Sequence, residues 1–482
     1  MNRQINRITG GLIFLMLALI ANLSFIQVFK AQDYRTQVGN QRVLRAEYSR
    51  ERGSILLGSK AVANSVETSD TLKYLRQYSS GAEYAPITGY YSVVYGASAL
   101  ELKENEVLAG NDSRFFVDRL QQLIAGRKPK GGAIRLTINA AAQKAAYAAL
   151  AGRTGAVVAI DPQTGAILAL ATSPSYDPNT LSSHDSATIQ KTWDVLTKDA
   201  DQPMLNRPLA MTLPPGSTFK LVTAAAALES GKYTASSELP GPATLNLPET
   251  NKKLGNWTGS ACGANDKITL KDALAISCNT AFASLGLQLG ATAIEDQAKK
   301  FGFETSFDVP MTAATSHFPT GLNAPQTAMS AIGQFDVRAT ALQMAMVGAG
   351  IANDGVVMNP YLVSQVLGPD LTVLQSTTPT AFGRALSSAN AAILRDMMVN
   401  VVAHGTGSNA RIPGVDVGGK TGTAENTPGE SAHAWFVGIA PAKNPSIAVA
   451  VVLEHGGGAT EVSGNALAAP IAQRVMRAVL GK

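Results

Sequence analysis

The sequence predicts an α/β protein of the α+β kind. An antiparallel sheet is flanked by helices, and a smaller N-terminal domain and one membrane-spanning helix precede it. Three observations carry that expectation. Strand-like apolar runs lie at both ends of the region after residue 135, about 260 mostly helical residues separate them, and an uncharged apolar run stands close to Met1. The 482 residues suffice for more than one domain with its own core. Apolar residues make up 45% and charged residues 16%, an ordinary globular balance.

The first element is the run from Ile8 to Phe29. Its roughly 22 uncharged residues match the length of a helix that crosses a bilayer. Arg3 and Arg7 precede it and only Lys30 follows closely, so the positive-inside rule predicts a cytoplasmic N-terminus. No small-x-small cleavage site follows the apolar core, which favours a retained anchor over a signal peptide. About 450 residues are then expected outside the membrane. Residues 1–30 form this tail and anchor. Residues 31–135 are polar and tyrosine-rich, with weak periodicity, and predict short strands and loops forming a pedestal.

Residues 136–482 make the larger domain. A helix is expected over Ala140–Gly152. Ala156–Ile160, the turn Asp161–Gly165 and Ala166–Leu170 predict a β-hairpin. Helical periodicity follows, as over Leu221–Glu229, Leu270–Ile276 and Ser388–Val402. Two late strands, Ala434–Ile439 and Ile447–Leu453, flank the turn Pro441–Pro445, and a helix is expected over Ala466–Leu480. The net charge of +5 comes with no Lys/Arg run and no basic-aromatic patch, so no nucleic-acid partner is expected. The five histidines form no ligand pair, and neither metal nor cofactor is expected.

Chemistry is concentrated in Ser217-Thr-Phe-Lys220, Ser277-Cys-Asn279 and Lys420-Thr421-Gly422-Thr423. Pro214-Pro215-Gly216 cannot continue a helix, whereas Thr218–Glu229 can, which places Ser217 at a helix N-terminus. Ser217 and Lys220, three apart, then share one face. A buried lysine beside a second cation loses its proton more easily and can accept one from the serine; Lys420 is the candidate cation. Alone, this spacing more often describes a capping serine and a solvated lysine, but Ser217 is the only serine in the chain with a lysine three residues on. Ser-x-Asn occurs three times. Ser388-Ala-Asn390 is expected to cap a helix, Ser463-Gly-Asn465 lies in a glycine-rich loop, and Ser277-Cys-Asn279 lies between the other two elements. There Ser277 can relay a proton and Asn279 can hold a substrate backbone. Gly422 allows a substrate backbone to come close, and the Thr421 and Thr423 hydroxyls can bind a carboxylate beside Lys420.

The third element also fits the phosphate-loop pattern, from Gly414 to Thr421. A phosphate loop must open a helix, and Glu425-Asn-Thr-Pro428-Gly429 breaks one. Glu454 could imitate the metal-binding acid, but the segment is expected outside the membrane, away from ATP. Cys262 and Cys278 are either a disulfide, which that compartment permits, or two small buried hydrophobes.

The three elements, in this order, resemble those of the penicillin-binding proteins and serine β-lactamases. Arg52-Gly-Ser-Ile55, Gly89–Ser92, Tyr95–Glu101, Leu136–Ile138, Gly333-Gln334, Leu342–Ala345 and His433–Gly438 extend the likeness over nearly the whole chain. It is nearest to the class B enzymes, in particular the penicillin-binding protein A group. The resemblance implies a D,D-transpeptidase that cross-links peptidoglycan stem peptides through an acyl-enzyme on Ser217. Lys220 is then the base, Ser277 and Lys420 pass the proton, Asn279 orients the donor peptide, and the Ser217 and Thr423 N–H groups form the oxyanion hole. It further implies acylation by β-lactams and a place in the bacterial inner membrane. A membrane glycan polymerase or divisome proteins are expected as partners. A D,D-carboxypeptidase or a penicillin sensor on the same fold is the alternative. A glycosyltransferase domain does not fit in the roughly 100 residues before the larger domain, and no deacylating glutamate stands in a Glu-x-x-x-Asn setting.

Overall fold

The computed structural model describes residues 2–28, 30, 47–116, 124, 130–425, 429–459 and 461–482. Helix α1, Asn2–Val28, contains an exposed apolar stretch, Arg7–Gln27, of mean hydropathy 2.1 and of a length that can cross a membrane.

The N-terminal region is built on β1 (Ile55–Leu57), β2 (Lys60–Glu67) and β3 (Tyr74–Tyr78), which pair antiparallel in sequence. Short helices Gly81–Thr88, Ala99–Lys103 and Asn105–Leu108 follow, where only strands and loops were expected. Each is at most 8 residues long, and the first contains Pro86, so none repeats the 3.6-residue period long enough to register in sequence. They pack Tyr84, Ile87, Leu100 and Leu108 inward. At the centre Glu101, fully buried, accepts from Arg52 Nε at 2.6 Å and Arg76 Nε at 2.7 Å, with the Tyr78 hydroxyl at 3.1 Å. Burial alone would raise the Glu101 pKa; the two guanidiniums outweigh it and hold the carboxyl below its ordinary value.

Strand β4 (Ala133–Leu136) runs parallel to β1. Helix α2 (Ala140–Leu150) begins at Asn139, whose side chain accepts from Ala142 N. Buried Gln143 fixes α2 to the next hairpin, donating to Leu170 O at 3.0 Å and accepting from Leu170 N at 2.8 Å. That hairpin is β5 (Gly155–Ile160) and β6 (Ile167–Ser173). Helices α3 (Lys220–Glu229), α4 (Leu270–Ala275), α5 (Asn279–Leu289) and α6 (Ala341–Ala352) follow. Every residue of α6 is buried. Strands β7 (Val363–Leu367) and β8 (Val373–Ser376) do not join the hairpin. They extend the N-terminal sheet, whose order is β8-β7-β4-β1-β2-β3.

Helix α7 (Ser388–His404) is capped by Ser387, which accepts from Asn390 N; the expected cap, Ser388, is the first helical residue instead. Strands β9 (Gly418–Ala424), β10 (His433–Ala440) and β11 (Ile447–Leu453) complete a five-stranded antiparallel sheet of order β9-β10-β11-β5-β6. Helix α8 (Ala469–Leu480) starts three residues after the predicted Ala466, because a π-turn over Gly464–Ala468, capped by Ser463, comes first. Helices α2 and α8 lie together on one side of this sheet, while α6 packs against β5, β10 and β11. Strands β5, β10 and β11 are buried along their whole length, which is why they read as continuous apolar runs rather than alternating ones.

Candidate active site

The three sequence elements converge where α3, α4, α5 and β9 meet. Ser217 lies in a 3-10 turn, Gly216–Phe219, and α3 starts only at Lys220. The turn needs Gly216 at φ 52 and is tied to the 333–339 segment by Gly216 N to Gly333 O, 3.0 Å, and Leu213 N to Ala339 O, 3.0 Å. Lys220 is therefore one turn beyond Ser217 and completely buried.

Helix α4, capped by Thr269, ends at Ala275, and Ser277 follows in the left-handed region at φ 61. A non-glycine residue there carries backbone strain of order 1–2 kcal/mol. That conformation lets both oxygens of Ser277 face the same lysine. Lys220 Nζ donates to Ser277 O at 2.9 Å and to Asn279 Oδ1 at 2.7 Å, and lies 3.3 Å from Ser277 Oγ. Lys420 Nζ reaches the same Ser277 Oγ at 2.9 Å and its neighbour's Thr421 O at 2.9 Å. Ser277 Oγ is thus shared by two buried lysine side chains. Among the described residues, Ser217 Oγ itself has no hydrogen-bond partner.

The electrostatics follow from that crowding. Burial, then the charge of Lys420, pushes the Lys220 pKa far below that of a free lysine. Burial lowers Lys420 to about 7. A neutral amine has two N–H donors and one lone pair. At Lys220 the two close carbonyl oxygens, Ser277 O and Asn279 Oδ1, can only accept, so they occupy the N–H groups and leave the lone pair for a serine hydroxyl.

Lys420–Thr423 belong to β9, an edge strand of the sheet. The phosphate-loop reading fails here, since Lys420 sits inside a strand rather than at a helix start. Glu454 pairs with Arg207 at 2.7 Å. Pro428 lies outside the described residues. Gly422 is buried, and the atoms crowding it are not a vacant approach path. A Cβ there would stand 3.0 Å from Pro215 O, 3.0 Å from Thr218 Cγ2 and 2.9 Å from Trp435 Cβ. Gly422 therefore lets the nucleophile turn come against β9. The two threonines differ: Thr423 is exposed, while Thr421 is buried with its hydroxyl 2.7 Å from that of Thr406.

Thr406 was not foreseen. It joins the other two elements, because its N–H donates to Ala275 O at the end of α4, 3.0 Å, while its hydroxyl meets Thr421. The glycines on either side, Gly405 and Gly407, are the only local signal of it. Asn256 was also unforeseen; its Oδ1 accepts from Asn279 N at 3.0 Å. Cys262 and Cys278 form a disulfide with Cα atoms 6.1 Å apart. Of the other two Ser-x-Asn sites, Ser388-Ala-Asn390 is engaged elsewhere, with Asn390 bonded to Glu229, whereas Gly464 of Ser463-Gly-Asn465 packs against Gly422 of β9 while Asn465 bonds Asn409 and Ser408.

Comparison with known proteins agrees with this geometry. Residues 155–477 match the penicillin-binding protein transpeptidase domain, and residues 52–134 match the penicillin-binding protein A dimerisation domain. The peptidoglycan D,D-transpeptidase PbpA of Mycolicibacterium smegmatis is 42% identical, over 100% of this chain and 99% of its own. The structure of penicillin-binding protein A from M. tuberculosis as a ceftriaxone acyl-enzyme superposes with a TM-score of 0.88 at 40% identity, covering 90% of this chain and 100% of that one. The D,D-transpeptidase domain of a peptidoglycan glycosyltransferase from Eggerthella lenta gives 0.77 at 34% identity, covering 90% and 98%. The chain belongs to the class B penicillin-binding protein transpeptidase family.

Proposed function

We propose that this protein is a serine-type peptidoglycan D,D-transpeptidase, acylated at Ser217 by donor stem peptides and by β-lactams. The observation that carries it is the buried pair Lys220 and Lys420 sharing Ser277 Oγ beside the Ser217 turn. The Ser217 hydroxyl gives its proton to the lone pair of Lys220 as Oγ attacks the penultimate D-Ala carbonyl. The Ser217 and Thr423 N–H groups receive the oxyanion. As the tetrahedral adduct collapses, the C–N bond breaks, and the leaving D-Ala amine takes a proton delivered through Ser277 from Lys420. An acceptor amine from a second stem peptide then attacks the ester, and Ser217 regains its proton by the reverse route. Asn279 orients the donor, whose backbone adds alongside the open edge of β9. Thr421, Gly422 and Thr423 line that edge, and the exposed Thr423 hydroxyl is the better placed of the two to meet a carboxylate. No cofactor or metal takes part in this scheme.

We divide the chain into an anchor (1–30), a pedestal (31–135) and a transpeptidase domain (136–482). We place the N-terminus in the cytoplasm and the catalytic domain on the outer face, as Arg3 and Arg7 favour. The anchor and pedestal then offer the surface for a membrane glycan polymerase or a divisome protein.

The test uses the full-length chain in detergent and a fluorescent penicillin. Digestion is expected to leave the label on the peptide containing Ser217, and Ser217→Ala to abolish it. A label elsewhere, or one undiminished in Ser217→Ala, would overturn the assignment. A donor peptide ending in D-Ala-D-Ala, supplied with a labelled acceptor amine, should yield the exchanged peptide rather than only its hydrolysis product.

A further inference from the structure

Helix α5 carries Asn279 as its first residue, and its N-cap is Cys278. Helix N-caps are normally Ser, Thr, Asp or Asn, whose oxygens accept from the first free N–H groups. Cys278 is a poor substitute. Its sulfur is bonded to Cys262, lies 3.5 Å from Thr280 Oγ1 and accepts from Ala281 N at 3.4 Å. The two N–H groups before that one are not left bare, because both are taken by one oxygen from another part of the chain. Asn256 Oδ1 accepts from Asn279 N at 3.0 Å and Thr280 N at 3.1 Å.

The other end of the Asn256 amide is equally committed. Nδ2 donates to Pro242 O at 3.0 Å and Ser260 O at 2.9 Å. Backbone N–H groups only donate and backbone carbonyls only accept, so these four partners fix which end of the amide is oxygen. The next residue back completes the grip, since Gly255 O accepts from Asn279 Nδ2 at 3.2 Å. Gly255 and Asn256 thus hold Asn279 by its main chain and by its side chain, while Asn279 Oδ1 holds Lys220 Nζ at 2.7 Å.

We propose that Asn256 is a positioning residue for acylation: it caps α5 from outside and thereby fixes the Asn279 amide against the general base. The inference rests on the assignment of Ser217 and Lys220 as nucleophile and base. It explains why a residue with both an acceptor and two donors stands at this buried position. It also explains how a helix beginning at a disulfide-bonded cysteine keeps its first turn ordered.

The test measures the acylation rate constant of the full-length chain in detergent against pH, with active-site titration setting the concentration of competent protein. In Asn256→Ala the rate constant is expected to fall about tenfold, the scale of one or two lost buried hydrogen bonds. Its acid limb is expected to move to lower pH, because Lys220 loses an acceptor that favours its ammonium form. Asn256→Ser keeps a neutral oxygen at the cap and sets no carboxylate against Pro242 O and Ser260 O, and it is expected to restore part of the rate. A merely structural role predicts fewer competent molecules, each with the wild-type rate and pH limb, and that result overturns the proposal. Should Asn256→Ala not accumulate, Asn256→Ser decides: a lowered rate constant with its acid limb moved to lower pH supports the cap, and the wild-type rate constant and limb remove it. Ser217→Ala separates the two levels. If it still labels, the nucleophile assignment fails; if it is silent while Asn256→Ala behaves as wild type, only the cap proposal fails.

Discussion

Two fully buried lysines within reach of one serine hydroxyl cost stability, and the same cost supplies a base at neutral pH. An unfolded lysine ionises near 10.4. Burial brings Lys420 to about 7, and burial together with the Lys420 charge lowers Lys220 well below the ordinary lysine value. Between those values the unfolded chain binds more protons than the folded one, so stability rises with pH across that window. Replacing Lys420 by Met should therefore stabilise the fold at pH 7.5, by on the order of a few kcal/mol. The gain over wild type should fade as pH approaches about 10. Thermal unfolding at several pH values checks this, and a penicillin-labelling assay should find the same variant inactive. In the wild type the acylation rate should decline on acidification, as Lys220 takes up a proton and loses its lone pair.

At the scale of elements, catalysis depends on how closely the nucleophile turn lies against β9. Gly422→Val would force Pro215 O, Thr218 and Trp435 apart from positions about 3 Å from the new side chain. A misplacement of about 1 Å costs about a hundredfold in rate, so labelling kinetics should collapse while circular dichroism stays near wild type. Strands β5, β10 and β11 were legible in the sequence because both faces of their sheet are covered, and an unbroken apolar run follows. The Ser217, Ser277 and Lys420 elements were legible because each is short and carries its own residues. Their supports were not. Asn256 and Thr406 act through contacts distant in sequence, Asn256 on Asn279 and Thr406 on Ala275, and no local period encodes such a contact. The start of α3 was misread by a few residues, since proline and glycine mark where a helix can begin but do not distinguish a 3-10 turn from an α-turn. The helices between Gly81 and Leu108 escaped for the opposite reason, being too short to show a period.

Across the whole molecule, stability and chemistry are separable. Glu101 pairs with both Arg52 and Arg76, far from Ser217 in the sequence. Its replacement by Ala leaves two buried guanidiniums without a counter-charge, which should cost about 3–5 kcal/mol. Denaturant unfolding should show that loss, while the labelling rate of the folded fraction stays unchanged. Because the Glu101 pKa is lowered in the fold, its contribution is present above the ordinary glutamate range and is lost as pH falls through the folded value. The Cys262–Cys278 bridge closes a loop with a sequence separation of 16. Removing it as the double serine variant should cost about 3 kcal/mol by loop-closure entropy.

The six-stranded sheet sets an order of events during synthesis. Strand β4 ends at Leu136, yet the neighbour that covers its outer edge, β7, begins only at Val363. The N-terminal strands therefore have one edge open until most of the transpeptidase domain has followed them. An open edge invites pairing with other chains. Chains cut short before residue 363 leave β4 unpaired on that side and are expected to aggregate, which size-exclusion chromatography of such truncations checks.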